Sequence, residues 1–244
     1  MERPKIGIFG LTGCAGDQIV ILNCEDELLT LVSAVDIRDF LTGSSLNDTA
    51  CELDVSFVEG TVLNKRDEER LKAIRRRSSL LIATGTCAAW GGVPAMEADA
   101  PREEIIRRVY GDGAAWYDIG APRKLSDVVK VDAAISGCPI EKDQFLSAVA
   151  DLLNDNLPLL VDTPVCVECK MKENVCLLEK GVVCCGPLTV GGCKARCPSL
   201  GIPCVGCHGP VKEANYESQL KMLKEKGFEE VDMARKLRSF AIAY

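Results

Sequence analysis

Nine of the fourteen cysteines fall between Cys166 and Cys207, and no other feature of the 244-residue sequence restricts its folding as strongly. Over that stretch Gly, Pro and Cys dominate, and neither helical nor strand periodicity persists until about Pro210. A segment of this kind cannot bury enough apolar side chain to offset its chain entropy, so something other than a core must hold it. The order is Cys166-x2-Cys169-x6-Cys176-x7-Cys184, then Cys193-x3-Cys197-x6-Cys204-x2-Cys207, with Cys185 left over. Eight cysteines make two sets of four.

Four thiolates suit either a [4Fe–4S] cluster or a structural zinc ion, because both accept tetrahedral sulfur. One zinc ion on the two bracketing Cys-x2-Cys pairs leaves Cys176, Cys184, Cys193 and Cys197 without a role; two zinc ions stay open as an alternative. Clusters account for more of the pattern. Pro198 follows Cys197, as at the end of bacterial ferredoxin runs, although the regular ferredoxin spacing is absent. Gly and Pro accompany nearly every cysteine, and small residues let backbone N–H groups reach inorganic sulfide. Bound clusters would also stabilise this core-poor segment directly.

The N-terminus, MERPKIGIFG, lacks the apolar core and cleavage site of a secretory signal, and no run approaches the roughly 18 apolar residues of a membrane span. A cytoplasmic protein is expected, in which disulfides are not the natural use of cysteine. A formal charge of −7 and a pI near 5.0 argue against a nucleic-acid binder. The Arg75-Arg76-Arg77 run reads as a solvated helix end.

Ahead of the cysteine-rich stretch, apolar runs recur at Lys5–Gly10, Leu29–Val35, Val55–Glu59, Leu80–Gly85 and Val131–Gly137. Helix-like patterns lie between several of them, at Gln18–Leu28, Asp67–Ile74, Glu103–Val109 and Lys142–Leu153. Apolar strands alternating with helices indicate an α/β fold, a flavodoxin-like doubly wound parallel sheet over residues 1–160. A small, irregular, cysteine-rich domain over residues 161–244 would follow, the boundary falling near Pro158–Pro164. From Val211 on, Tyr216, Leu220, Leu223, Phe228, Val231 and Leu237 suggest two short amphipathic C-terminal helices broken near Gly227.

In parallel sheets, functional residues collect on loops beyond the carboxyl ends of the strands. Three further cysteines occupy such loops. Cys14 lies in Gly10-Leu-Thr-Gly-Cys-Ala-Gly16, Cys87 in Gly85-Thr-Cys-Ala-Ala-Trp-Gly-Gly92, and Cys138 in Ser136-Gly-Cys-Pro139. They could converge although they are far apart in sequence. The first loop could instead cradle a phosphate or flavin, but neither Gly-x-Gly-x-x-Gly nor a P-loop ending is present. Cys24, in a helix pattern, and Cys51, in a polar loop, read as structural.

Cys14 with Gly13 and Gly16, the Gly85–Gly92 motif and Gly137-Cys-Pro139 together resemble the proximal-cluster motifs of nickel–iron hydrogenase small subunits and of the related complex I 20-kDa subunit. The later array, including Pro164-Val-Cys-Val-Glu-Cys169 and Gly192-Cys-Lys-Ala-Arg-Cys-Pro198, is similar to the delta subunit of cytoplasmic sulfhydrogenases. The resemblance covers about residues 5–210. It implies three [4Fe–4S] clusters: a proximal one on Cys14, Cys87 and Cys138, a distal one on Cys166, Cys169, Cys176 and Cys184, and a medial one on Cys193, Cys197, Cys204 and Cys207. Interleaving of the last two sets stays open.

One departure stands out. The family has Cys-x2-Cys in its first loop, whereas this chain reads Cys14-Ala-Gly-Asp17. Asp17 is the expected fourth ligand; an open iron, another ligand, no cluster, or a plain first-turn residue favoured by the helix dipole are the alternatives. Cys166 stands where export-type relatives usually carry histidine, and the only histidine, His208, is expected behind Cys207 or at the surface.

No residue set resembles a nickel site or an acid–base pair, so no catalytic residue is expected in this chain. The resemblance implies an electron-transfer subunit partnered by a NiFe large subunit and by flavin/NAD(P)-binding and additional Fe–S subunits that reduce NAD(P)+ or polysulfide. A hydrogenase-derived subunit with a nickel-free partner, and a zinc-stabilised module without redox function, are the rivals.

Overall fold

The computed structural model describes residues 3–96, 101–116, 118–229, 235–236 and 239–240. Its centre is a parallel sheet of β1 (Lys5–Gly10), β2 (Asp36–Asp39), β3 (Leu53–Glu59), β4 (Ser78–Thr84) and β5 (Ala133–Ile135), in the order β2-β1-β3-β4-β5. This is the flavodoxin-like strand order, in which β1 and β3 flank the switch point. In register, Ile6 stands beside Val55, and Val55 beside Leu80.

The sheet is continuous in its apolar content because helices cover both faces. On one face α1 (Gly16–Leu22), α2 (Glu25–Ala34) and α6 (Lys142–Leu153) pack Ile21, Leu31, Phe145 and Val149 over Ile6, Ile8, Val55 and Phe57. Phe57 and Phe145 meet edge to face at 5.3 Å, a contact worth about 1 kcal/mol beyond its burial. On the other face α3 (Lys65–Arg76) and α4 (Gly85–Trp90) set Leu71, Ile74 and Ala88 against Phe9, Val58 and Leu81, and α5 (Arg102–Tyr110) follows them in the chain. Asn64 caps α3, its side chain accepting from the Asp67 N–H at 2.8 Å. The Arg75–Arg77 run closes that helix, where cations suit the dipole.

Two sequence expectations need correction. Leu29–Val35 is not a strand: α2 runs through it, and the helix-like span Gln18–Leu28 is two helices broken at Asn23 and Cys24. Glu25, Asp26 and Glu27 at the start of α2 favour the dipole, and the apolar run divides helically, with Leu31 and Val35 buried and Leu29 exposed. The strand follows as β2, whose Asp-Ile-Arg-Asp sequence carries no apolar run because it is a sheet edge. Cys24 is buried and Cys51 half-buried, away from the strand-end loops.

Beyond residue 160, α7 (Val165–Met171), α8 (Arg196–Ser199) and α9 (Tyr216–Glu225) surround a third, small core of Val165, Cys184, Cys185, Leu188, Ala195 and Cys204. The expected second C-terminal helix, with Val231 and Leu237, lies outside the described residues. No helix among the described residues is long and apolar enough to cross a membrane.

Asp132, entering β5, accepts from Arg75 at 2.6 Å and the Leu81 N–H at 2.9 Å and pairs with Lys130 at 2.9 Å. Burial would raise its pKa, but these partners outweigh it and hold the carboxyl at about 2, below its ordinary 3.8. A depressed carboxylate stabilises the fold fully above the unfolded pKa and loses that contribution as pH falls through the folded one. Asp132→Asn should therefore cost about 2 kcal/mol at neutral pH and flatten the loss of stability between pH 4 and pH 2. Denaturant unfolding across that range measures it; an unchanged acid limb would refute it.

Candidate iron–sulfur relay site

The first group of candidate side chains sits at the carboxyl edge of the sheet. Cys14 follows β1 on the turn into α1, where Ala15 takes a left-handed conformation (φ 62°) and the Gly16 N–H reaches Cys14 Sγ at 3.4 Å. Cys87 lies in α4, directly after β4, and Cys138 follows β5 before a cis peptide to Pro139. Asp17, only 6% exposed, accepts the Ile140 N–H through Oδ1 at 2.8 Å. Burial pushes Asp17 up to about 7, against the Ile140 bond and with help from Glu59.

These four side chains feel one another. Burial, then Cys138, Asp17 and Cys14, push the Cys87 thiol up to about 12. Burial, Asp17, Cys14 and Glu59 raise Cys138. Without a cation beside them Cys87 and Cys138 stay protonated at neutral pH, so loading with a metal centre must displace protons.

Glu59 and Gln18 are parts of this site that sequence reasoning missed. The Gln18 N–H and side-chain amide both donate to Glu59 Oε2 at 3.1 Å, fastening the start of α1 to the end of β3. The available signal was an acid closing the otherwise apolar run Val55–Glu59 on the functional edge.

Cys166 and Cys169 of α7 line one cavity of about 80 Å³ with Cys176 and Cys184, closed by Gly186, Pro187 and Leu178. Burial and the three other sulfurs push Cys166 up to about 11. A Cβ at Gly186 would stand 3.3 Å from Cys166 Sγ and 3.6 Å from Cys184 Sγ, so a glycine there leaves the sulfurs room.

Burial, and after it the neighbouring Cys193 and Cys197 thiols, push Cys207 up to about 12. Cys204 occupies the seam between the two later groups. Its N–H donates to Cys184 Sγ at 3.3 Å, and its thiol is raised by burial and by Cys184 and Cys185, against the Gly206 N–H and the Thr189 hydroxyl. Cys185 is fully buried in the small core with Lys236 O 3.9 Å from its sulfur. His208 is not at the surface: it is 2% exposed, with Nδ1 3.0 Å from Gly191 O.

Glu168, between Cys166 and Cys169, joins the two groups. Its carboxylate accepts the Gly192 N–H at 2.6 Å and the Ala195 N–H at 2.9 Å, holding the loop of Cys193, where Lys194 and Ala195 are left-handed.

Among the described residues, no three His, Cys, Asp or Glu side chains converge closely enough to hold one metal ion. The sulfurs of the second group instead ring a cavity. Soft thiolates with glycine-lined approaches suit an iron–sulfur cluster, which Cys166, Cys169, Cys176 and Cys184 would hold and which would supply one-electron chemistry there.

The family model for the NADH ubiquinone oxidoreductase 20-kDa subunit matches residues 14–152. The chain belongs to that family. Within the family it resembles hydrogenase small subunits. It is 41% identical to sulfhydrogenase 2 subunit delta of Pyrococcus furiosus, covering 97% of this chain and 99% of that one. It is 32% identical to a subunit of the F420-non-reducing hydrogenase vhu of Methanocaldococcus jannaschii, over 98% of this chain and 94% of that one. Among solved structures, NAD+-reducing [NiFe]-hydrogenase matches with a TM-score of 0.57 and 26% identity, over 65% of this chain and 96% of that one. The Ni-Fe-Se hydrogenase of Desulfomicrobium baculatum matches with a TM-score of 0.61 at 16% identity, over 89% of this chain and 98% of that one, a likeness of fold.

Proposed function

We propose that this small subunit relays single electrons through three [4Fe–4S] clusters in a cytoplasmic nickel–iron hydrogenase, between the NiFe site of a large subunit and a further Fe–S or flavin subunit that reduces NAD(P)+ or polysulfide. The observation that carries the reading is that the loops bearing the three sulfur groups are joined in series. The Thr86 hydroxyl, next to Cys87, accepts the Gly137 N–H beside Cys138 and donates to Cys207 O, and the Cys204 N–H bonds the Cys184 sulfur at 3.3 Å. When bound, the clusters supply reversible one-electron chemistry; the chain's own residues set where they stand and how water reaches them.

In this reading Cys14, Cys87 and Cys138 hold the proximal cluster toward the large subunit, Cys193, Cys197, Cys204 and Cys207 the medial one, and Cys166, Cys169, Cys176 and Cys184 the distal one. Cys14 and Cys176 are the exposed members, which suits an entrance at one end and an exit at the other. The sheet domain ends near residue 160, and the remainder is the two-cluster domain. The names of the relatives support a hydrogenase setting; that of Archaeoglobus profundus, 24% identical, is an iron-sulfur subunit.

Asp17 completes the proximal set. Its carboxylate is buried among Cys14, Cys87 and Cys138, and its Oδ2 lies against Gly85 at the start of α4.

Iron and acid-labile sulfide analysis with EPR of the anaerobically purified, reduced subunit tests both points. The wild type should contain sulfide and about four irons per cluster; stoichiometric zinc with negligible sulfide refutes the relay. Asp17→Cys should keep the iron and change the EPR signal of one centre, and Asp17→Ala should lose about one iron of that centre. An unchanged spectrum in Asp17→Ala removes Asp17 from the ligand set.

A further inference from the structure

The hydroxyl of Thr86 touches three stretches of chain that the sequence keeps apart. Thr86 is 1% exposed, in the first turn of α4 and adjacent to Cys87. Its backbone N–H donates to Gly137 O at 2.8 Å, and its Oγ1 accepts the Gly137 N–H at 3.0 Å, next to Cys138. The same hydroxyl donates its proton to Cys207 O, across 121 residues. A side chain with a donor and an acceptor on one atom can do this; valine, of the same shape, can do neither.

The surroundings make the same junction. The Trp90 ring lies so close to Gly209 that any Cβ there would overlap it, and Trp90 Nε1 donates to Ser136 Oγ at 3.2 Å. Loops bearing Cys87, Cys138 and Cys207 are thus locked to one another, with Thr86 at the middle. Cys138 and Cys207 therefore stand on loops that one hydroxyl joins.

We propose that Thr86 is a positioning residue: its hydroxyl holds the Cys207 loop on the Cys87 and Cys138 loops, and so sets both the electronic contact between the first two centres and the potential of the second. The proposal rests on the electron-relay reading. Backbone N–H dipoles near a cluster's sulfurs stabilise its more negative, reduced form, so a Cys207 loop that moves away from the Gly137 and Cys138 backbone makes that centre harder to reduce.

The test compares Thr86→Val and Thr86→Ser with the wild type, in the hydrogenase complex or full chain as it purifies anaerobically. Thr86→Val should retain iron and sulfide, weaken the spin–spin broadening between the two centres, and lower the reduction equilibrium of the Cys207 centre about tenfold, or 59 mV for one electron. Hydrogen exchange at 136–139 and 204–209 should rise in the valine variant. Thr86→Ser should restore all of these. Iron lost in valine and kept in serine also supports a hydroxyl requirement. The proposal is overturned if fully loaded Thr86→Val keeps the wild-type potential and broadening, or if both variants lose iron, which would show that the hydroxyl is not what holds the loops. A wild type without sulfide would refute the relay, and with it the redox part of the proposal; exchange rates unchanged in valine would refute the loop tie on their own.

Discussion

Replacing Cys166 and Cys184 together by alanine is expected to open the chain from about Val165 to Pro210 while the five-stranded sheet stays folded. The small core there has six buried members, of which Cys184, Cys185 and Cys204 are themselves cysteines. Burying Val165 and Leu188 contributes about 2 kcal/mol each, against an ordering cost of about 1–2 kcal/mol for every residue fixed. Apolar burial cannot hold such a segment, whereas a metal centre on four thiolates contributes on the order of 10 kcal/mol. Removing the two sulfurs nearest Gly186 deletes that contribution from one centre. Limited proteolysis read by mass spectrometry should show new cuts confined to this stretch, with at least about a third of the iron lost. Undiminished iron and wild-type protease resistance would show that these two cysteines hold nothing.

Gly85→Ala is expected to empty the proximal set and leave the other two. Gly85 has φ +83°, which alone costs an alanine about 1–2 kcal/mol. Its missing Cβ is also what makes space for Asp17, because a methyl built on Gly85 would overlap Asp17 Oδ2. Asp17 cannot retreat, since its other oxygen holds the Ile140 N–H at 2.8 Å. Overpacking adds about 1–3 kcal/mol, so a total near 3 kcal/mol falls on the loops of Cys14, Cys87 and Cys138. The measurements are a drop in melting temperature of the sheet domain and the disappearance of one EPR signal of three. If that signal persists with its shape intact, Gly85 does not make space for Asp17 as described.

The alternation of apolar runs with helical patterns was legible because a strand covered on both faces must be largely apolar, as Val55–Val58, Ser56 apart, and Leu80–Ala83 are. The same rule misled at Leu29–Val35, where leucine and alanine favour a helix and burial is decided by which face meets the sheet. It was silent about β2, an edge strand that has few neighbours to satisfy. Cysteine spacing marked every sulfur for attention without saying which would meet. Cys204 shows the difficulty: it lies three residues from Cys207 along the chain, yet its N–H rests on Cys184.

The sequence alone therefore determined the fold class, the core-poor character of the cysteine-rich segment and the residue types available for soft metal chemistry, because periodicity and composition are local properties. Tertiary structure decided which cysteine-bearing loops neighbour one another, that Asp17 lies buried against Gly85 and Ile140, and that Thr86 and Glu168 tie separate loops together. Those outcomes depend on contacts across 121 residues for Thr86 and Cys207, and 123 for Asp17 and Ile140. Contacts at that range are formed by strand order and helix packing, and no stretch of neighbouring residues encodes them.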